Sequence, residues 1–456
     1  MKLRKLVLAN FRGFEQIDID FEDSVTVIAG VNGVGKSGVL KALTSALSLA
    51  LPKFTVSRES PINLIDTDVQ SGKLGLSMSV TLDLDAAKAI VDLTRAAPLA
   101  ADKAETLIKR RDDLRFAMRE TRKGSKEEQE INSEIRRIEI QLGQSSDIAV
   151  VRILPNDAEI DGDEVVTSMK GDGGHPLAVF YTTSRFLSRL PSTLSKTKKI
   201  EAATAYEKSL SQLEVSLNDF ANWYRVVASE TTAATKDRLF QQLERAIQQF
   251  LPAVSDLALN DSRSPRFSVT KNGQTLFLEQ LSDGERGLLA LVFDLTRRLV
   301  IANPDSDNPI AEGLALVLID EIELHLHPKW QRDVLQRLRD TFTSCQFVVT
   351  THSPLVLGEV PARCVRFLEF VNGKVGVTVP AEAYGMDANR ILQELMGAPV
   401  RNRQVEDELK ALFALIDQDL FSQARIAIAA LERKLGEDEP ELTRASSLIH
   451  FLEGTE

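Results

Sequence analysis

The chain has few cysteines and no long apolar run. Its 456 residues include two cysteines, Cys345 and Cys364, which are too few for a disulfide framework and lack the CxxC spacing of a zinc or redox site. No segment approaches the roughly twenty consecutive apolar residues that cross a bilayer, and no signal-peptide core follows the first residues. We therefore expect a cytoplasmic protein that does not interact with membranes.

Positive charges are outnumbered, with 55 lysines and arginines against 66 aspartates and glutamates. The formal net charge of −11 excludes a surface that is basic throughout, so any contact with nucleic acid needs a local patch. The two candidate patches are Lys109-Arg110-Arg111 and the basic run at 196–199. Charge runs on helices are more often only solvated, so DNA stays an open alternative among the partners.

A glycine-rich segment carries the first chemical signal. Residues 30–37 read G-V-N-G-V-G-K-S, which matches G-x-x-x-x-G-K-[ST]. An apolar strand is predicted before it at 25–29, and a helix after it from Gly38, ending near Pro52. Such a loop points amide hydrogens at a β-phosphate, and the helix N-terminus adds to that field. The predicted ATP-binding residues are Gly30, Asn32, Gly33, Gly35, Lys36 and Ser37.

Two carboxylates follow a second apolar strand. The run 314–319 ends in Asp320-Glu321, which places both acids at the carboxyl edge of the predicted sheet, where α/β proteins bind ligands. With the phosphate loop present, Asp320 is predicted to hold Mg²⁺ through water and Ser37 to ligate it directly. Glu321 is then predicted to be the general base that activates the attacking water. The expected cofactors are therefore ATP and Mg²⁺.

The remaining pattern divides the chain into alternating head and helical segments. Mixed-charge residues at 100–144 predict a helical hairpin broken near Gly124-Ser125, with arms of only about 30 Å. A second helical insertion is predicted from about Ser184 to Phe250. The predicted divisions are 1–95 (N-terminal part of the head), 96–146 (hairpin), 147–185 (central strands), 186–254 (helical insertion), 255–380 (C-terminal part of the head) and 381–456 (helical region for dimer or partner contact).

The segment 281–285 reads L-S-D-G-E before a predicted helix, and it resembles the LSGGQ signature of ABC-type ATPases. In that family the signature binds the γ-phosphate of ATP held by the other subunit, so the resemblance implies this role for Ser282 and Gly284. It also implies a head-to-tail dimer or a higher oligomer. Asp283 and Glu285 depart from the commonest form of the signature.

Three further segments resemble this family. The resemblance of 347–354 to the switch segment implies a catalytic role for His352. Residues 322–328 resemble the D-loop. This segment contains His325 and His327, but a two-residue spacing without further ligands makes a zinc site improbable. The N-F-R opening, Asn10-Phe11-Arg12, is similar to the opening of the SMC and RecF branch. This resemblance implies that Arg12 approaches ATP. The Q-loop stays open between Gln70 and 181–185.

The chain is thus identified as an ABC-type P-loop ATPase head of the SMC, RecF and overcoming-lysogenisation branch. Its α/β fold is expected to have a mixed sheet with helices, helical insertions and a helical C-terminal region. The layout is most similar to the Septu anti-phage ATPase subunit (PtuA-like), which implies slow, regulatory ATP hydrolysis and an HNH-type nuclease partner. Asp417 and Asp419 lie in a helical pattern, so no nuclease is predicted in the chain itself.

Two alternatives to a defence ATPase are considered. One is a RecF-like DNA-repair ATPase that binds DNA as an ATP-dependent clamp. The other, a transporter ATPase, is disfavoured because the insertions interrupt the core in the wrong places and the N-F-R opening belongs to the soluble branch.

Overall fold

The structure is a computed structural model that divides into two compact units, Met1–Met386 and Asp387–Glu456. Within the ranges below, no helix combines the length and the apolarity needed to cross a membrane. The structure describes residues 1–96, 101–120, 126–141, 148–157, 162–171, 175–194, 200–211, 214–260, 264–399, 401–436 and 438–454. The predicted hairpin break at Gly124-Ser125 and the basic run at 196–199 lie outside these ranges.

Fourteen strands in the described ranges form three sheets, ordered β2-β1-β4-β5-β6, β10-β9-β8 and β14-β13-β3-β12-β11-β7. The strands are β1 Lys2–Phe11, β2 Phe14–Asp20, β3 Val25–Gly30, β4 Gly75–Asp83, β5 Ala87–Ala96, β6 Ile148–Pro155, β7 Leu177–Tyr181, β8 Val254–Asn260, β9 Arg266–Lys271, β10 Gln274–Phe277, β11 Ala315–Ile319, β12 Gln346–Thr351, β13 Val365–Val371 and β14 Lys374–Thr378.

Helices flank these sheets and form the C-terminal unit. They are α1 Lys36–Phe54, α2 Ala101–Glu120, α3 Lys126–Gln141, α4 Gly162–Gly171, α5 Leu217–Glu230, α6 Ala233–Phe250, α7 Asp283–Ala302, α8 Pro309–Glu312, α9 Pro328–Thr341, α10 Pro354–Leu357, α11 Ala388–Arg390, α12 Arg403–Asp417, α13 Phe421–Leu435 and α14 Pro440–Glu453.

The six-stranded sheet forms the centre of the larger unit. Strands β7, β11, β12, β3 and β13 run parallel, and β14 closes the edge as the second strand of an antiparallel hairpin. Every residue of β3, β11 and β12 is buried, as expected for strands covered on both faces. Their carboxyl ends therefore meet at one edge, as the apolar runs in the sequence predicted.

The second sheet is antiparallel and contains one strand that the sequence did not reveal. Strand β5 pairs with β4 and with β6 on either side. Every second residue from Ala87 to Leu93 is buried, as in a strand with one inward face, but two of these four inward residues are the alanines Ala87 and Ala89. Because alanine is depleted in strands, the alternation gave a weak strand signal.

The predicted helical insertion at 186–254 is wrong in its first half. In the described parts of 186–216, the regular structure is one short turn at Ala202–Ala205 and an isolated bridge between Leu187 and Val215. The α-helices begin only at Leu217. Buried Arg298 donates to the carbonyls of Ala205 and Glu207, so a tertiary contact holds this segment in place of helical hydrogen bonds.

Helix α1 ends near Pro52, as the sequence predicted, and continues only two residues past the proline, to Phe54. The fold class is confirmed: the head is an α/β structure with a mixed sheet, a helical hairpin and a helical C-terminal region.

The C-terminal unit is built on three helices. The spacing of Leu409, Leu412 and Ile416 predicted an amphipathic helix, and these residues are buried on α12. The unit has its own apolar core, made by Leu409, Leu412, Ile416, Ala424, Ile428, Leu431, Leu442, Ala445 and Ile449. Asp417 ends α12, and Asp419 lies in the turn that follows.

A buried ion cluster lies on α7 and is joined to the central sheet by the hydroxyl of Tyr181 from β7. Asp294 accepts hydrogen bonds from Arg297 at 3.0 Å and Arg298 at 2.7 Å, and also from the hydroxyl of Tyr181 at 3.1 Å. Burial alone would raise the pKa of Asp294, but Arg298 and then Arg297 hold it well below its usual range. The carboxylate is therefore charged at neutral pH and compensates two buried cations.

We expect Asp294→Asn to destabilise the head by about 3 kcal/mol, because it leaves buried arginines without their counter-charge. Urea unfolding followed by circular dichroism measures the change. The matched control is Asp307→Asn. The Asp307 side chain is 90% exposed and pairs with Arg238, so this substitution should change stability little. Equal midpoints for the two variants would contradict the expected contribution of the cluster.

Candidate functional site

The parallel strands bring four segments to one edge of the central sheet. The phosphate loop follows β3, the acids follow β11, the switch segment follows β12, and 182–185 follows β7. Because β3, β12, β11 and β7 are consecutive neighbours in the sheet, their carboxyl ends lie side by side. This edge is where an α/β sheet binds its ligand.

Glycine is required where the phosphate loop turns. Gly35 has φ of +108°, and a Cβ there would lie 2.5 Å from the ring of Phe14. Gly30 has φ of +144°, and a Cβ there would lie 2.3 Å from the carbonyl oxygen of Leu368. Side chains at either position would collide as well as strain the backbone. The loop is thus held between β2 and β13, while Asn32, Gly33 and Ser37 are exposed.

The Lys36 side chain curls back into its own loop. Its Nζ donates to the carbonyl oxygens of Gly30 at 2.9 Å and Val31 at 3.0 Å, and lies 3.2 Å from Nδ1 of His352. Burial lowers the pKa of Lys36. Burial, and then the ammonium of Lys36, also lower the pKa of His352, which favours a neutral ring that accepts at Nδ1.

Oxygen atoms from three segments meet at Asp320. Its Oδ1 accepts a hydrogen bond from Ser37 Oγ at 3.1 Å and another from Thr350 Oγ1 at 2.6 Å. Hydroxyl and carboxylate oxygens are the ligands that Mg²⁺ takes in proteins. The pair formed by Ser37 and Asp320 therefore fits a magnesium site, and the residues that the sequence proposed for it are in contact.

Glu321 adopts a backbone conformation that non-glycine residues rarely adopt. Its φ is +47°. This conformation costs about 1 kcal/mol or more, so it persists only where surrounding contacts hold it. The amide of Glu321 donates to Thr350 Oγ1 at 2.8 Å, and its carbonyl accepts from Arg185 Nη2 at 2.7 Å. These two contacts fix the turn that presents the Glu321 side chain.

Arg185 is a site residue that the sequence did not single out. Besides Glu321, its guanidinium binds the carbonyls of Asp320 at 2.7 Å and Ile322 at 3.2 Å. Burial lowers its pKa to about 10, opposed first by the charge of Glu323, and it stays cationic at neutral pH. Of the two Q-loop alternatives, 181–185 therefore lies beside the acids.

The other alternative, Gln70, lies elsewhere in the head. Its backbone amide donates to the carbonyl of Asn10, the first residue of the N-F-R opening. The available signal for Arg185 was its position just after an apolar strand, within the segment 181–185 that the sequence left open as a Q-loop.

Glu323 joins the D-loop segment to the switch segment. Its Oε2 accepts from Thr351 Oγ1 at 2.8 Å, and its Oε1 accepts from the amide of His352. This carboxylate fixes the backbone on which His352 is carried. Neither Glu323 nor Thr350 was predicted as a site residue, because a single threonine in an apolar strand and an acid in a loop carry no distinct local signal.

Arg12 lies beside the first turn of α1. Its Nε donates to buried Asp68 at 2.8 Å, and Lys41 also binds Asp68, at 3.1 Å. The Cδ of Arg12 is 3.5 Å from the position of a Cβ at Gly38, two residues after Lys36. Asp68 occupies Nε, and the two terminal nitrogens make no hydrogen bond within the described parts of the chain.

The signature turn contacts a different part of the head. Ser282 caps α7: its Oγ donates to Glu285 Oε2 at 2.8 Å, and its amide donates to the same oxygen at 3.0 Å. A Cβ at Gly284 would lie 2.5 Å from the carbonyl oxygen of His325, so the turn packs on the D-loop. The ring of His325 packs against Phe186, with centroids 5.4 Å apart.

The predicted residues thus fall into two groups. The edge of the central sheet holds the phosphate loop, Asp320, Glu321 and His352, with Arg12 beside α1. Ser282 and Gly284 form the second group at the N-terminus of α7, and within the described ranges no hydrogen bond joins Ser282 to the phosphate loop.

The chain is similar to known proteins. The retron Ec83 probable ATPase of Escherichia coli is 26% identical over 477 residues, which cover 97% of this chain and 85% of that protein. Septu protein PtuA of Bacillus mycoides (strain KBAB4) is 44% identical over 80 residues, 18% of this chain and 11% of that protein.

Among solved structures, an Smc head bound to the C-winged helix domain of ScpA has a TM-score of 0.45 and 15% identity, over 83% of this chain and 98% of that one. Two families also match the sequence. The family described as "AAA domain, putative AbiEii toxin, Type IV TA system" matches residues 180–358, and the family described as "AAA domain" matches residues 5–254. Because the second match spans more than half of the residues, this chain belongs to the AAA domain family, with retron ATPases and Septu PtuA among its relatives.

Proposed function

We infer that the protein hydrolyses ATP at the edge of its central sheet, in a site completed by a second copy. The observation that carries this function is the contact of Ser37, Asp320 and Thr350 beside Lys36 and His352. That arrangement supports a phosphate cradle at Lys36, a magnesium site at Ser37 and Asp320, and a general base at Glu321, whose amide donates to Thr350. A chance glycine turn would not be accompanied by all three.

Nucleotide binding would exchange the internal partners of Lys36 for phosphate oxygens. The carbonyls of Gly30 and Val31 and the ring of His352 hold its ammonium in place, so only a short movement is needed to reach the β- and γ-phosphates. Ser37 and Asp320 would hold magnesium, which supplies charge neutralisation for the phosphates. The exchange also releases Nδ1 of His352, which can then respond to the γ-phosphate.

Glu321 is the proposed general base. Arg185 and Thr350 fix its backbone, so the carboxylate is presented to an attacking water at little cost in reorganisation. His352, positioned by Glu323, completes the cis half of the catalytic site. Arg12 is proposed to approach the nucleotide with its two terminal nitrogens.

The trans half is proposed to come from Ser282 and Gly284 of a second subunit. The serine lies at the N-terminus of the twenty-residue helix α7, where backbone amides and the helix dipole favour a phosphate. Within the described residues, no hydrogen bond joins Ser282 to the phosphate loop of its own chain, which agrees with a role in a head-to-tail dimer. ATP would hold the two heads together, and hydrolysis would release them.

The dimer is proposed to regulate an HNH-type nuclease in anti-phage defence. The similarity to a Septu protein and to a retron ATPase supports this assignment over a RecF-like DNA clamp. Residues 381–456 are the proposed contact region, since the unit has its own core and exposes Ile426 (72%) and Phe451 (65%). Of the candidate DNA patch, Arg110 is paired with Glu134 and Arg111 with Asp112.

We predict that Glu321→Gln slows hydrolysis by at least about a hundredfold and traps an ATP-bound dimer, because the variant can bind ATP but cannot accept the proton. Phosphate release measures the rate, and light scattering during gel filtration measures the dimer. Lys36→Ala is the matched control, and it should lose both nucleotide binding and dimerisation. Hydrolysis by Glu321→Gln at the native rate would refute the assignment of the base.

We predict that Arg185→Ala lowers kcat about tenfold to a hundredfold with little change in ATP affinity, because Glu321 loses the contact that fixes its carbonyl. Arg185→Lys should be intermediate, since an ammonium cannot bind several carbonyls in one plane. The control is Arg189→Ala, which removes an exposed arginine four residues away. A change in ATP affinity alone, with kcat preserved, would exclude this positioning role.

We expect the native complex to contain a nuclease subunit that mass spectrometry identifies after purification through a tag on this chain. Ile426→Asp and Phe451→Asp should weaken its retention while leaving ATP hydrolysis intact. The control is Leu74→Asp, because Leu74 is 94% exposed in the other unit. A complex without a nuclease that prefers DNA junctions, with an affinity that falls steeply as salt is added, would favour the RecF-like alternative.

A further inference from the structure

The signature turn of this chain contains an acid close to the proposed phosphate-binding serine. The Glu285 side chain is only 7% exposed, and its Oε2 accepts both the amide and the hydroxyl of Ser282. This capping box stabilises the start of α7. It also places a full negative charge beside the hydroxyl that, in the proposed dimer, would face the γ-phosphate of the partner.

A lysine from another element compensates this charge. Nζ of Lys271 lies 2.7 Å from Oε1 of Glu285, the carboxylate oxygen that Ser282 does not use. Burial would raise the pKa of Glu285, but Lys271 and then Ser282 keep it below its usual range. The two side chains therefore form a neutral, partly buried pair directly behind the signature turn.

The position of Lys271 follows from a tight hairpin. Lys271 is the last residue of β9 and pairs with Gln274, the first residue of β10. The two residues between them, Asn272 and Gly273, have φ of +50° and +77°, which is the geometry of a two-residue hairpin turn. Strand β10 then leads through Leu278–Gln280 to Ser282. The lysine and the signature turn thus belong to one short, continuous unit.

We propose that Lys271 is a positioning residue for the ATP held by the partner subunit, because it neutralises Glu285 and so lets the Ser282 turn approach the γ-phosphate. This inference rests on the proposed head-to-tail dimer. Without the lysine, the uncompensated carboxylate of Glu285 and the γ-phosphate would be two like charges that face each other across the interface. With the lysine, the turn presents an effectively neutral surface, and the Ser282 hydroxyl can turn its proton from Glu285 to the phosphate.

Lys271 should affect ATP-dependent dimerisation but not the binding of ATP by the phosphate loop of its own subunit. In the Glu321→Gln background, we expect Lys271→Met to raise the ATP concentration that gives half-maximal dimerisation by at least about tenfold. Binding of a fluorescent ATP analogue by dilute monomer should not change, since the phosphate loop is untouched. Lys271→Arg should behave like the parent, because it keeps the cation.

A double substitution isolates the effect of charge. Glu285→Gln keeps an oxygen that can accept from Ser282 but removes the negative charge, so Lys271→Met combined with Glu285→Gln should dimerise like the parent. Lys5→Met is the matched control: it breaks an exposed pair with Asp18, at 2.9 Å, and should change nothing. Thermal melting of each variant confirms that it is folded.

Three outcomes would overturn the proposal. The first is Lys271→Met dimerising at the same ATP concentration as its parent. The second is failure of the double variant to recover, since the lysine would then act on the fold and not through charge. The third is a parent Glu321→Gln protein that binds ATP and stays monomeric, which would refute the proposed dimer itself and, with it, this inference.

Discussion

The catalytic edge depends on one side chain, the hydroxyl of Thr350. This group donates to Asp320 at 2.6 Å and accepts from the amide of Glu321 at 2.8 Å, so it joins β12 to the end of β11. Through Asp320 it also orders the hydroxyl of Ser37, the proposed magnesium ligand. A valine would fill the same volume but could make neither bond, which would leave Arg185 alone to hold Glu321 at its positive φ. The geometry of the acids is therefore set by the neighbouring strand.

Charge balance in the absence of nucleotide is the second constraint. Three carboxylates, at positions 320, 321 and 323, lie near two buried cations, Lys36 and Arg185, whose charges they stabilise. Arg185 is committed to backbone carbonyls and has no freedom to follow a ligand. Lys36 is held by two loop carbonyls and a neutral imidazole, which are partners that a phosphate can replace. The site thus has one fixed cation, Arg185, which shapes the backbone, and one exchangeable cation, Lys36, which is proposed to bind phosphate.

The parts of this site that could be predicted are those in which one short segment contains both the reactive or binding residues and the strand or helix that positions them. The phosphate loop between an apolar strand and a helix is such a segment, and so is the pair Asp320-Glu321 after β11. Arg185 could not be predicted, because its carbonyl partners lie about 135 residues further along the chain. Strand β5 was hidden by its alanines. The sequence predicted helices before Leu217, but the described residues of 186–216 form no α-helix. Hydrogen bonds from Arg298 to backbone carbonyls hold part of this segment, and such a tertiary contact cannot be read from local helix propensity.

Strand β7 connects the two halves of the proposed active site. At its end, Tyr181 pairs with Ile319 of β11 and donates its hydroxyl to Asp294 on α7, the helix that begins at the signature serine. Four residues later Arg185 clamps the turn that carries Glu321. Sliding α7 along the sheet would break the buried hydrogen bond from Tyr181 to Asp294 and those from Arg298 to the carbonyls of Ala205 and Glu207. The turn that carries the proposed base and the helix that carries the proposed trans serine are therefore both tied to the same strand, β7.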